Sequence, residues 1–138
     1  MEKQQKIIVS GIIETEKGVL LAKRPMTKKI APGKYHLPGG HIEFGEEPEV
    51  ALKREFLEEF GLTVEAKKVV RTFSYTNGDA HTVGITFAVS VADLPEVVIF
   101  DKRETEEVVW ANKISLNNYL SSEDHDYQTL QRVLVNKN

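Results

Sequence analysis

The chain has no cysteine. That excludes a disulfide framework, a thiolate metal site and a cysteine nucleophile. It has no apolar run approaching the roughly 20 residues that cross a bilayer as a helix. The opening Met1-Glu2-Lys3-Gln4-Gln5 is not built like a secretory signal. The expectation is a cytoplasmic protein with no membrane partner. An excess of basic residues is missing too. The net charge is -3, so the chain lacks the footprint of a protein that binds a nucleic-acid polymer. There are no repeats, low-complexity tracts or internal linkers. At 138 residues, 41% hydrophobic and 28% charged, the chain reads as one domain spanning 1–138, large enough for a core.

What the chain does have is a dense acidic stretch, GHIEFGEEPEVALKREFLEEFGL, from Gly40 to Leu62. A helix turns about 100° per residue, so Glu55, Glu58 and Glu59 stand within roughly 100° of arc. Stacked like charges destabilise an isolated helix unless something neutralises them. The same wheel sets Val50, Leu57 and Phe60 opposite, with Phe56 at the flank, as the expected core stripe. Pro48 suits the first turn, Glu46, Glu47 and Glu49 suit the positive end of the dipole, and Gly61 suits the C-terminal cap. Ahead of the helix, Leu37-Pro38-Gly39-Gly40 is a tight turn whose backbone can approach a metal or ligand. A carboxylate face beside such a turn points to a hard divalent ion such as Mg²⁺ acting with substrate phosphates. The plain alternative is a solvated acidic face.

The stretch resembles the Nudix box, G-x5-E-x7-R-E-U-x-E-E-x-G-U with U aliphatic. Gly40, Glu46, Arg54, Glu55, Glu58, Glu59, Gly61 and Leu62 match it, and Phe56 stands at the first U position. The resemblance implies an α+β chain with the Nudix fold, an α/β/α sandwich around a mixed central sheet. It implies hydrolysis of a diphosphate bond in a nucleoside diphosphate linked to another moiety. The metal ligands it implies are the Gly39 carbonyl, Glu55, Glu58 and Glu59, with Glu104 from a late loop; Glu106 and Glu107 are the alternatives there, and a solvated loop is the plain reading. Glu55 is either ligand or general base. Glu55, Glu58 and Arg54 form the catalytic set, and Gly40, Glu46 and Gly61 support the box. The implied cofactor is Mg²⁺, with Mn²⁺ as a substitute.

The remaining pattern is mostly strand. Lys6 to Ile13 and Val19 to Ala22 flank a polar turn and read as a hairpin. Tyr35-His36-Leu37 is a short strand into the glycine turn. Leu62 to Thr76 reads as strand, broken near Lys67-Lys68. Asn77-Gly78 is a hairpin signal, and His81 to Val91 returns with Val83, Ile85, Phe87, Val89 and Val91 on one face. Val108 to Ala111 is a last strand. From Ser115 the apolar spacing becomes helical, as one broken helix or two.

Four basic residues, Lys23, Arg24, Lys28 and Lys29, read either as a solvated loop or as a phosphate contact. The resemblance favours Arg24 as a substrate contact. His36 and His81 are further substrate candidates, each with a structural reading beside it, and Asp124 or Asp126 is the candidate to face a base edge. Small MutT-type members imply a nucleoside triphosphate substrate cleaved to monophosphate and pyrophosphate. SSEDHD, from Ser121 to Asp126, has no asparagine where MutT reads oxidised guanine. The second reading is an ADP-ribose or nucleotide-sugar diphosphatase. Asn77, sixteen residues beyond Gly61, stands where many ADP-ribose hydrolases carry proline. The third is a catalytically silent nucleotide-binding regulator. A homodimer is compatible with the chain, though no residue argues for it.

Overall fold

The structure, a computed structural model, describes residues 2–134. The ends of the expected 1–138 domain, Met1 and residues 135–138, lie outside them. The chain divides into two compact units, 1–13 with 38–99 and 14–37 with 100–138.

The first unit is a four-stranded sheet carrying one helix. Its strands are β1 (Gln4–Ile12), β5 (Gly39–His41), β6 (Thr63–Asn77) and β7 (Ala80–Ala92), in the order β5-β1-β7-β6. β1 and β7 run parallel while the other two pairings are antiparallel, so the sheet is mixed. Helix α1 (Pro48–Phe60) packs on β1, β5 and β6. Its buried residues are Ala51, Leu52, Phe56 and Phe60. The core stripe is therefore the i, i+4 row Leu52–Phe56–Phe60, and Phe56 lies at its centre instead of its flank. Val50 and Leu57, expected inside, are 55% and 57% exposed. The bare backbone of Gly11 explains the choice of face. A Cβ added there would meet the Phe56 ring at 2.9 Å, so the ring rests directly on β1.

β6 does not break at Lys67-Lys68. It runs unbroken and absorbs the irregularity as register shifts between Ala66 and Lys68 and between Val69 and Arg71, the behaviour of β-bulges. The return strand β7 also differs from expectation. Between residues 82 and 86 it buries Thr82, Gly84 and Thr86 and leaves Val83 and Ile85 half-buried. Ser10 and Thr86 are tolerated inside because their hydroxyls bond each other at 2.9 Å.

The second unit contains β2 (Glu14–Thr15), β3 (Gly18–Lys23), β4 (Tyr35–His36) and β8 (Glu107–Ala111). A 3-10 turn at Leu116–Asn118 and helix α2 (His125–Val133) complete it. β3 is its buried centre, paired with β2, β4 and β8, all antiparallel. The expected hairpin between the first two strands is therefore absent. β3 hairpins only with the two residues of β2, while β1 takes its partners from β5 and β7 in the other sheet. Pairing β1 with a strand 76 residues onward, as Gln4 with Ala80, leaves no local signal. The C-terminal helical pattern resolves into two pieces, with Leu116 and Leu130 buried. Among the described residues, no helix is long and apolar enough to cross a membrane.

Candidate active site

The acidic helix begins where its residues suggest. Glu47 sits at the N-cap in extended conformation, Pro48 opens the helix and Glu49 lies in the first turn. Gly61, at φ 65°, closes it. The N–H groups of Gly61 and Leu62 donate to the carbonyls of Leu57 and Phe56 at 3.0 and 3.2 Å.

Arg54 is the hub of the site. Its Nε and Nη2 donate to the two oxygens of Glu46 at 2.8 and 2.9 Å, a bidentate pair. Nη1 reaches Glu55 at 3.0 Å and Glu58 at 3.3 Å, and Nη2 also donates to the carbonyl of His41 at 3.0 Å. Glu46 in turn accepts the N–H of Glu43 at 3.0 Å. One guanidinium thus ties the loop entering the helix to two of the helix carboxylates. Two of its contacts, the His41 carbonyl and the Glu43 carboxylate at 3.8 Å, were absent from the expected site. The only signal for them was their place inside the box's variable positions.

The electrostatics follow from this packing. Hydrogen bonding to Arg54 holds the Glu46 carboxyl down to about 2. Arg54 is raised above its ordinary value, chiefly by Glu46. Glu55 moves the other way: burial raises its pKa, against the opposing pull of Arg54. Its environment is tight because the carboxyl group fills the place of a side chain at residue 40. A Cβ built on Gly40 would fall within 2.6 Å of Glu55 Oε1 and closer still to the rest of the carboxyl group. Gly39 is equally constrained by the Val9 carbonyl and Ser10, with which it is paired in β1.

Glu58 is exposed and Glu59 half-buried on the same helix. Among the described residues, no three acidic or imidazole groups converge as they stand on a point that would hold a metal. The carboxylates of Glu46, Glu55 and Glu58 gather on Arg54 instead. As donors, helix carboxylates and a backbone carbonyl are the oxygen ligands a hard divalent cation requires, so the residues present fit such an ion. His81, also in this unit, stands at the β6–β7 hairpin with Nδ1 3.0 Å from Gln5 Nε2. It lines a cavity of about 350 Å³ with Lys3, Gln5 and Asp79.

Glu104, Arg24, His36 and Asp124 belong to the second unit. Glu104 pairs with Lys28 at 3.3 Å. Beside that pair, Lys23 meets Glu106 at 3.2 Å and Tyr35 donates to Glu107 at 3.1 Å. Arg24 folds back, its Nε donating to the Ile30 carbonyl at 2.8 Å. His36 Nδ1 lies 2.8 Å from the Leu37 carbonyl. Desolvation holds its pKa below the ordinary imidazole value. Asp124 caps α2, accepting the Asp126 N–H at 2.8 Å. Asp126 accepts the N–H of Leu37 at 3.0 Å.

A family model described as the NUDIX domain matches residues 4–133. The chain belongs to the NUDIX family. It is 30% identical over 124 residues to an ADP-ribose pyrophosphatase of Methanocaldococcus jannaschii, covering 83% of this chain and 72% of that protein. It is 28% identical over 122 residues to the nucleoside triphosphatase NudI of Enterobacter sp. (strain 638), covering 83% of this chain and 86% of the relative. The crystal structure of a MutT protein from Methanosarcina mazei Go1 matches at a TM-score of 0.80 and 23% identity, over 96% of this chain and 94% of that one. The α+β Nudix fold expected from the box is the fold of this chain. As a Nudix hydrolase it acts on a diphosphate bond, a phosphoric anhydride.

Proposed function

We propose that this Nudix hydrolase is a Mg²⁺-dependent nucleoside triphosphate pyrophosphohydrolase, releasing a nucleoside monophosphate and pyrophosphate. The observation that carries the reading is the Arg54 hub, which holds Glu46, Glu55 and Glu58 together behind the Gly39-Gly40 turn. The complete box argues against a silent regulator. Asn77, at the hairpin turn where many ADP-ribose hydrolases carry proline, argues for a triphosphate, as does the likeness to a protein named nucleoside triphosphatase.

Glu55, Glu58, Glu59 and the Gly39 carbonyl would hold the ion, and the family resemblance adds Glu104 to the ligand candidates. When bound, the ion supplies neutralisation of the anhydride oxygens and activation of water. Arg54 keeps Glu55 and Glu58 in register and leaves Glu58 accessible. Glu55, its pKa raised by burial, is either a ligand of the ion or the proton acceptor, since basicity rises with pKa. Arg24, His36, His81 and Asp124 are the substrate-contact candidates. The reading takes residues 1–138 as one Nudix domain.

The ADP-ribose reading is second, favoured by the 30% identical relative. The test is product analysis with Mg²⁺ across nucleoside triphosphates, ADP-ribose and nucleotide sugars. Pyrophosphate with a monophosphate is the expected result. Cleavage of ADP-ribose to AMP and ribose 5-phosphate, with triphosphates untouched, would replace the first reading by the second.

A further inference from the structure

The exposed end of the first unit's sheet carries a reactive pair that the Arg54 hub does not use. Asn77-Gly78 is the only asparagine–glycine step in the chain. Asn112 and Asn136 precede lysine, Asn117 precedes asparagine, Asn118 precedes tyrosine, and Asn138 is the last residue. The amide carbon of an asparagine is open to attack by the backbone nitrogen of the next residue. A side chain on that next residue obstructs the approach, and glycine has none. Even a Cβ built on Gly78 would meet nothing within 4 Å, so the surrounding space is open as well.

The fold leaves this pair accessible. β6 and β7 meet in a two-residue turn, with Asn77 paired to Ala80 and Gly78 in the first turn position at φ 62°. Residues 74–79 are all exposed. Exposed hairpin ends open locally at little cost in free energy, which lets the Asn77 side chain swing onto the Gly78 nitrogen. Asn112 is the contrast. Its side-chain oxygen accepts the N–H groups of Ile114 and Ser115 at 3.0 and 2.8 Å, and its successor is a lysine. Close to the turn, two bonds tie β1 to the start of β7. The Asp79 carbonyl accepts the Gln4 N–H at 2.8 Å, and Gln5 Nε2 lies 3.0 Å from His81 Nδ1.

We propose that Asn77 is a site of spontaneous deamidation, and that its modification remodels the end of the sheet that holds His81. The Gly78 nitrogen gives its proton to solvent base and bonds to Asn77 Cγ. Ammonia leaves, and a five-membered succinimide ring remains. Water opens the ring at either carbonyl, so one water is consumed and one ammonia released, with no oxidant or cofactor. Opening one way gives aspartate. Opening the other way gives isoaspartate, in which the main chain runs through the former side-chain carbon and is one methylene longer. The nitrogen must lose its proton first, so the rate rises with pH. Both products place a new carboxylate two residues from Asp79. Isoaspartate also breaks the register at the Asn77–Ala80 pair, beside the Gln4–Asp79 and Gln5–His81 bonds. Lys3, Gln5, Asp79 and His81, which line the 350 Å³ cavity, then lose their fixed spacing.

Ageing the folded protein tests this without any substrate. The full chain is incubated at neutral and mildly alkaline pH in ordinary and heavy-oxygen water, with melting curves as the fold control. Tryptic peptides are then read by mass spectrometry with electron-transfer fragmentation, which separates aspartate from isoaspartate. The expected result is conversion at Asn77 to both products, faster at the higher pH, with one solvent oxygen taken up and Asn112 unchanged. Asn77→Gln, whose ring would need a sixth member, should gain no negative charge on isoelectric focusing. In ¹⁵N NMR the aged wild type should show shifted amides for Gln4, Gln5 and His81, with those of α1 in place. An intact fold with Asn77 unmodified, or equal conversion at Asn112, overturns the site. Aspartate as the only product means hydrolysis without the ring and overturns it too. Isoaspartate at 77 with unmoved Gln4 and His81 amides overturns the remodelling.

Discussion

Arg54 grips Glu46 with two parallel hydrogen bonds, 2.8 and 2.9 Å, and still has Nη1 directed at Glu55 and Glu58. A lysine cannot do this, since a point charge on a flexible stem replaces a planar fork. Arg54→Lys should lower metal affinity or activity about 10- to 100-fold, the usual loss when a group orienting a ligand is removed. Metal titration by calorimetry, with melting curves as a fold control, checks it. Unchanged affinity and activity would make the fork a helix brace only.

The same hub sets opposite pH signatures for two carboxyls. Glu46 is held at about 2 against an ordinary 4.5, so its pairing contributes stability above about 4.5. That contribution is lost as pH falls toward about 2. The gap in Tm between wild type and Glu46→Gln should therefore narrow over that range. Glu55 is raised, so its ionised form costs stability at neutral pH, and the cost disappears in acid. Glu55→Gln should lose activity at pH 7 yet melt no lower than the wild type. A lower Tm would mean that the Arg54 bond outweighs burial.

Much of this arrangement was legible because the box is local. Pro48, the glutamates and Gly61 mark the helix in adjacent residues, and it runs from Pro48 to Phe60 as those marks suggest. The face it buries was not legible. Val50 and Leu57 are as apolar as Leu52, and only the bare backbone of Gly11, far off in the chain, selects Phe56. The same holds for β1, whose apolar run announces a strand without naming its partner. The stacking of Arg71 on Phe73, with Tyr75 parallel beside it, was not legible either. Its geometry depends on Gly84 and Thr86 across a long strand pair.

Phe56 should therefore be the most sensitive position on the helix. It is fully buried at the centre of the i, i+4 row, so Phe56→Ala should cost about 3–5 kcal/mol. Leu57→Ala, half-exposed, should stay within roughly 1 kcal/mol. Urea denaturation of the two variants compares them directly. A larger loss at Leu57 would show that its face is covered in solution.

Gly40→Ala puts a methyl group where the Glu55 carboxyl lies. Overpacking of this kind costs about 1–3 kcal/mol, and the side chain that must move is the expected ligand or base. Activity should fall more than tenfold while the circular dichroism spectrum keeps its shape. Gly45→Ala is the contrast: φ is +81°, but the space around it is empty, so any effect there is backbone strain on stability. Equal activity in the Gly40 variant would remove Glu55 from the chemistry.

Glu104 separates a ligand from a solvated loop residue. Its partner Lys28 lies 3.3 Å away, and the two side chains are 57% and 30% exposed. Pairs this exposed contribute less than about 1 kcal/mol. Glu104→Gln should therefore leave Tm nearly unchanged, and Lys28→Met should do the same. If Glu104 serves as a ligand, the two variants then diverge in metal affinity. Glu104→Gln weakens it, because an anionic oxygen becomes a neutral amide. Lys28→Met leaves it equal or stronger, because a competing cation has gone. Chelation should abolish wild-type activity and added Mg²⁺ restore it, with a higher Mg²⁺ requirement for Glu104→Gln. Identical Mg²⁺ curves for all three proteins would return Glu104 to the solvated loop and leave the ligand set to the helix.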